Sequence, residues 1–439
     1  MDEQAFLQAM REQPHDHLPW LAYADWLTEH DRLEEAAFLR FGVAAVERED
    51  AGLDASQLRA EAQALLERTS LIRWNHPAVP LQWLRFEPDA RGLFRRAILE
   101  SALGLPQLNF WMDIHPISEI VCHDRYTPDR FRWQARDLDQ LAGLVMRGIL
   151  TLSLETGHGL AITPEVIERL FVQGPMLPAL ESVGMDGTCW LGNSLVRLAS
   201  SPKLPRLREL RLNRCANVDN LSALLESSAS HRIRSWHLEA DDDASPLAER
   251  LLSAPYLDRV EKLHLGRRLT DAMLPRLIHG NPPMNLQQLT LAGTVHDVMV
   301  AELAWSPRLE RLESLHFTRR DQPIDATPVI ELITSPRATQ LRSLAIPFPG
   351  VGDVVLDVLI RSAVLPNLES LVISDIAPNR EWELYASPMR QKLRKLTIQG
   401  RRHVTIRPLT RDFRSSVGNR DLLTPNQSHG ADPDLPLTR

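Results

Sequence analysis

The stretch LRELRLNRC (207–215) decides how the chain is read. Leucine stands at Leu207, Leu210 and Leu212, and Glu209 to Leu212 alternate polar with apolar. Alternation is strand periodicity, so Leu210 and Leu212 point to one side and Glu209 and Arg211 to the other. One such strand cannot bury its leucines alone. Related phrases recur as ILTLSL at 149, LESVGM at 180, IRSWHL at 233, VEKLHL at 260, LQQLTL at 286, LESLHF at 312, LRSLAI at 341, LESLVI at 368 and LRKLTI at 393. Including the opening phrase, successive offsets are 31, 27, 26, 27, 26, 26, 29, 27 and 25 residues. Spacing this even implies a solenoid, whose units bury their leucines against the units on either side.

Between phrases the apolar residues fall at helical spacing, as in NVDNLSALLESSA (217–229), TDAMLPRLIHG (270–280) and DVVLDVLIRSA (353–363). A strand and a helix in every unit require parallel strands, because the chain must cross back to the same edge of the sheet. Asp219 and Thr270 stand where helix N-caps belong. Ser-Pro or Ala-Pro recurs at 201–202, 254–255, 306–307, 335–336 and 387–388, where proline stops a helix.

Over about 149–400 these features resemble the leucine-rich repeat family, in its longer form with a helix on the convex face. The resemblance implies an α/β solenoid with parallel strands on the concave side and helices on the convex side. The family usually carries Asn or Cys at the ninth position. Cys215 fits, and Thr188 and Thr294 are substitutes, but Arg268, Arg320, Pro349 and Ile376 depart from it. An irregular hydrogen-bonding ladder beneath the strands is therefore expected.

Residues 1–70 read as a small all-α module of four helices. Pro14, Asp16, Leu21, Tyr23, Ala24, Asp25, Trp26, Leu27, Glu29, Asp31, Phe38 and Arg40 resemble the bacterial repeat-companion domain, which typically precedes repeats. The usual glycine after the acidic pair is missing, and Ala37 stands where an acidic residue is common. The resemblance implies architecture and no activity. Trp26 is expected in the core, with Asp25 and Arg40 joining two helices as an ion pair. Residues 71–148 read as a connecting cap with degenerate strand phrases at 93–101 and 117–122. The array spans 149–402, and 403–439 reads as a disordered tail, polar and rich in Pro, Asp and Ser.

Net charge is −7, and three cysteines (Cys122, Cys189, Cys215) form no disulfide framework or metal knuckle. Charge throughout the N-terminus argues against a signal peptide, and no apolar run reaches membrane-spanning length. A cytoplasmic protein with reduced thiols is expected, one that binds neither nucleic acid nor membrane. No catalytic motif occurs, and no cofactor or metal is expected. His115, before a proline, reads as turn chemistry, and the aspartates of ADDDASP (240–246) as a solvated loop.

Positions three, five and seven of each phrase face the concave side. The residues expected to meet a partner there are Glu209, Arg211, His237, Glu239, Lys262, His264, Thr290 and His316. His237 and His264 belong to neighbouring strands, with His316 two strands on. Indifferent surface, a pH-sensitive patch and a metal site are the alternatives for this histidine row. The functional expectation is a non-enzymatic scaffold that binds a protein or other macromolecule through the concave face. Alternatives are an adaptor whose N-terminal helices recruit a second partner, and a metal-dependent enzyme.

Overall fold

All ten phrases become strands of one sheet. The computed structural model describes residues 2–406 apart from 51–52, 68–82, 124–132, 157–161, 188–190, 215–217, 241–244, 255–256, 280–284, 294, 319–323, 363 and most of 378–403. Strand β1 (Leu84–Pro88) opens a 14-stranded sheet whose spatial order is the chain order. The two degenerate phrases form β2 (Phe94–Leu99) and β3 (Glu119–His123). The ten phrases form β4 (Thr151–Glu155), β5 (Ser182–Asp186), β6 (Glu209–Asn213), β7 (Ser235–Glu239), β8 (Lys262–Leu265), β9 (Gln288–Leu291), β10 (Ser314–Phe317), β11 (Ser343–Ile346), β12 (Ser370–Ser374) and β13 (Lys395–Gln399). Strands β2 to β13 are parallel, and position three lies opposite position three throughout the array, as in Glu209 with Ser235 and Ser235 with Lys262. Two strands carry no phrase. Strand β1 runs antiparallel to β2, and β14 (Val404–Ile406) runs antiparallel to β13. Strand β14 falls within the stretch expected to be disordered. Residues 407–439, with Cys189, Cys215 and Asp241–Asp243, lie outside the described residues.

A backbone ladder holds this register. The carbonyl of position two accepts the N–H of both positions two and three in the next phrase. Leu150 receives Glu181 at 2.8 Å and Ser182 at 3.0 Å, and Arg208 receives Arg234 at 2.8 Å and Ser235 at 3.0 Å. The pattern is unbroken from Ser118 to Arg342. This regularity at the strand entries uses backbone groups that any side chain permits, and it is separate from the ninth-position ladder expected beneath the strands. Of the ninth-position residues, Thr188, Cys215, Thr294 and Arg320 lie outside the described residues.

Leu210 and Leu212 are fully buried in a single cluster that extends from Leu84 to Ile398. The helices that cover it include α7 (Pro164–Ile167), α8 (Ser194–Ser200), α9 (Val218–Glu226), α10 (Ser245–Leu252), α11 (Arg267–His279), α12 (Asp297–Trp305), α13 (Ala326–Thr334) and α14 (Gly352–Arg361). The Ser-Pro pairs at 201–202, 306–307 and 335–336 directly follow α8, α12 and α13, as expected, and their serines do more. Ser201 donates its hydroxyl to the Phe171 carbonyl of the preceding unit at 2.6 Å, and Ser335 does the same to Ala304. Thr270 is a correction: α11 begins at Arg267, and the buried Thr270 hydroxyl bonds back to the carbonyls of Leu265 and Gly266. Asp219 is the second residue of α9 and so lies inside the helix. Among the described residues no helix is long and apolar enough to cross a membrane.

The chain opens with α1 (Glu3–Glu12), α2 (Leu18–Glu29), α3 (Leu33–Asp50) and α4 (Ser56–Leu66), packed around their own cluster of Leu7, Tyr23, Leu27, Phe38 and Leu39. Asp25 and Arg40 pair at 2.7 Å on the surface between α2 and α3. Trp26 is only half-buried, stacked between Tyr23 and His30. Two contacts tie these helices to the sheet. Arg11 is buried, and its guanidinium donates to the carbonyls of Met112, His115 and Arg147. These lie at the ends of α5 (Leu105–Met112) and α6 (Ala135–Val145), where the helix dipoles favour a cation. In the other contact, the turn between β1 and β2 enters the helical cluster. Leu93 is fully buried there, and Arg91 donates to the carbonyls of Pro14 and His15. Gly92 has φ +106°, and a Cβ on it would stand 2.4 Å from the Phe38 ring, so only glycine fits. His115 lies in the bend that follows α5, as the turn reading expects, and its ring is fully buried against Phe94 and Trp111 and accepts the Phe94 N–H.

Arg11→Met keeps the aliphatic stem but leaves carbonyls without their charged donor, at a cost of roughly 2–3 kcal/mol. Hydrogen exchange should show protection lost in α1, α2 and α5 and kept in β9–β12. Uniform loss, or none, would contradict the anchoring role.

Candidate functional site

Because register is constant, residues at one phrase position form a row across the sheet. Arg211, His237, His264, Thr290 and His316 are successive partners along β6 to β10. Glu209 and Lys262 lie in the adjacent position-three row, with Ser235 between them. The structure therefore brings seven of the eight expected residues into two neighbouring rows. Glu239 stands apart, exposed at the end of β7. A Cβ on Gly266, just past the end of β8, would lie 2.7 Å from the Glu239 Cγ, so that glycine gives the carboxylate side chain its room.

The two neighbouring histidines do more than share an edge. Their rings stack face to face, with centroids 3.6 Å apart and planes 10° from parallel. Half-burial pushes both imidazoles down to about 4, helped by the positive charge of Arg211 and, for His264, by His237 itself. Both are neutral near pH 7. Glu209 holds the Arg211 guanidinium through an ion pair at the edge of the stack. His316 is separate. Its Nε2 lies 2.8 Å from the Ser343 hydroxyl and 3.2 Å from that of Ser314, and burial followed by Lys395 lowers its pKa. Among the described residues no three His, Cys, Asp or Glu side chains gather closely enough to share a metal ion.

A second feature escaped the sequence reading. A cleft of about 1110 Å³ runs along the N-terminal margin of the strands from β2 to β8, between the α1–α2 connection (12–16) and positions two and three of the phrases. Glu209 and Lys262 lie on it, whereas Arg211, His237, Glu239, His264, Thr290 and His316 do not. Its charged margin comes from position two, where Glu181 pairs with Arg208 and Arg234 with Glu261 at 2.6 Å. That column of alternating charge was the available signal, but the sequence does not reveal that residues 12–16 return to face it.

No family model matches the chain, and no curated protein matches it. Among solved structures it is similar to the crystal structure of the Rad7 and Elc1 complex in yeast. That match has 16% identity and a TM-score of 0.40, covering 88% of this chain and 92% of the other. A likeness this loose bears on neither fold nor partner.

Imidazoles depressed to about 4 when folded, against 6.5 when unfolded, set the sign of a pH effect. Between those values the unfolded chain binds more protons, so stability is full above about pH 6.5 and falls as pH drops toward 4. Melting temperatures of the wild-type protein should decline over that window more steeply than those of His237→Gln/His264→Gln. Parallel declines would show that the stack does not titrate as described.

Proposed function

We propose that the chain is a leucine-rich repeat protein acting as a non-enzymatic scaffold, which captures a protein partner on the concave face of its array. The observation that carries this reading is the in-register polar row from Arg211 through the stacked His237 and His264 to His316. A neutral, half-buried imidazole stack is already partly dehydrated. Covering it with a partner's backbone or aromatic group costs little desolvation, and Arg211 beside it supplies direction. The small neighbours Ser235, Thr290, Ser314 and Ser343 let a partner approach closely and spread contact over many strands. A protein partner also suits the net charge of −7 better than nucleic acid. On this reading the chain needs no cofactor, metal or catalytic step, 1–70 is a companion-type module, and 71–148 caps the array of 149–402.

A second reading makes the chain an adaptor whose N-terminal helices hold another partner. What favours it is the exposure of Leu18 and Leu33, at 71% and 61%, in the first turns of α2 and α3. Affinity capture from a lysate of the source organism, read by mass spectrometry, separates the two. His237→Ala/His264→Ala/His316→Ala should lose the principal partner by at least about tenfold at unchanged folded stability, as expected where contact centres on a few residues. Full retention by that variant, with loss in Leu18→Asp/Leu33→Asp, would instead place capture on the helices.

A further inference from the structure

We propose that His316, Ser343, Ser370 and Lys395 form a site for a phosphoryl group carried on a side chain of a polypeptide partner. This deepens the scaffold reading and rests on it only in taking the occupant to be a protein.

The outward positions of the sheet divide by charge. From β3 to β7, positions three, five and seven hold five carboxylates, Glu119, Glu155, Asp186, Glu209 and Glu239. From β8 to β13 the same positions hold none. Within that second half the constant register sets Ser314, Ser343, Ser370 and Lys395 side by side along β10 to β13. Lys395 is exposed, and among the described residues no carboxylate lies within ion-pair distance of it. Its charge is the one that adds to burial in lowering the pKa of His316, three strands away, and Ser343 and Ser370 lie between the two. Glu313 and Glu369 stand at position two, on the margin of the sheet, where Arg342 lies between them and holds Glu369 at 3.2 Å.

The donors are free as well as close. His316 Nε2 lies 2.8 Å from the Ser343 hydroxyl and 3.2 Å from that of Ser314. One neutral ring nitrogen has a single hydrogen or a single lone pair, so in either tautomer at least one of these hydroxyls keeps its hydrogen for a ligand. The Ser370 hydroxyl meets no partner among the described residues. At position five, β11 and β12 carry Ala345 and Val372, so no polar side chain there competes for the donors. Neighbouring strands are about 4.8 Å apart, which lets the Ser343 and Ser370 hydroxyls donate to one group between them. A phosphoryl group offers three terminal oxygens to hydroxyls, imidazole and ammonium, where a carboxylate offers two, and Lys395 matches its charge. A single lysine suits one phosphoryl group and not a nucleic-acid backbone, whose affinity comes from many cations.

The test uses the full chain and fluorescence anisotropy. The probe is a labelled glycine–serine peptide with one central phosphoserine. It is compared with the same peptide carrying serine or glutamate there, with an oligothymidylate of matching length, and with inorganic phosphate as competitor. The phosphoserine peptide should bind at least about tenfold more tightly than the serine peptide and lose about tenfold with Lys395→Gln. Ser343→Ala/Ser370→Ala should weaken it as well, by a change small enough to leave the circular dichroism spectrum intact. Arg276→Gln removes a cation that pairs with Glu249 between helices, and should bind the probe as the wild type does. Equal binding of the serine or glutamate peptide, preference for oligothymidylate, or inorganic phosphate binding as tightly as the phosphopeptide each overturns the proposal. So does full binding by both site variants, or an equal loss in Arg276→Gln. A scaffold that captures its partner through His237 and His264 survives failure of this site, and phosphopeptide binding survives failure of lysate capture, so the two readings fail separately.

Discussion

The structure depends on a doubly used carbonyl. From Ser118 to Arg342 the position-two oxygen of each unit takes two N–H groups from the next unit, and this fixes where each strand starts relative to its neighbour. A one-residue slip would turn Leu210 and Leu212 to solvent and Arg211 into the core. With the strand starts locked, variation in unit length is absorbed in the loops and helices. Offsets from 25 to 31 residues therefore coexist with an even sheet. Rows of side chains follow directly from that lock, and so does the meeting of two imidazoles from phrases 27 residues apart.

The helical N-terminus and the sheet share each other's interiors. Arg11 reaches out of α1 to the ends of two helices beneath the sheet's first strands, and Leu93 reaches from the sheet into the helical cluster. Exchanges in both directions make the connection between them a fixed wall. This is why a loop as polar as 12–16 can bound a cleft.

The repeat was legible because strand alternation and even spacing are properties of the residues themselves. Glu209, Arg211, His237, His264 and His316 could be placed on one face by counting from the phrase. The stacking of His237 on His264, and its effect on their protonation, depends on side-chain angles that counting does not supply. Thr270 was misread because a hydroxyl that bonds back within a helix has the same sequence signature as one that caps it. Strands β1 and β14 lack the phrase and were invisible. The cleft was invisible for another reason: Arg11 and Arg91 hold their targets through backbone carbonyls, which belong to every residue type and leave no motif.

The burial of Leu93 also orders events in time. Synthesis delivers residues 3–66, all four helices, well before the chain reaches Leu93, and their cluster includes that side chain. These helices thus wait with an open core until the β1–β2 turn arrives to close it. Completion of the helical unit then coincides with the laying down of the sheet's first two strands. The edge on which every later repeat is built is set as part of the same event.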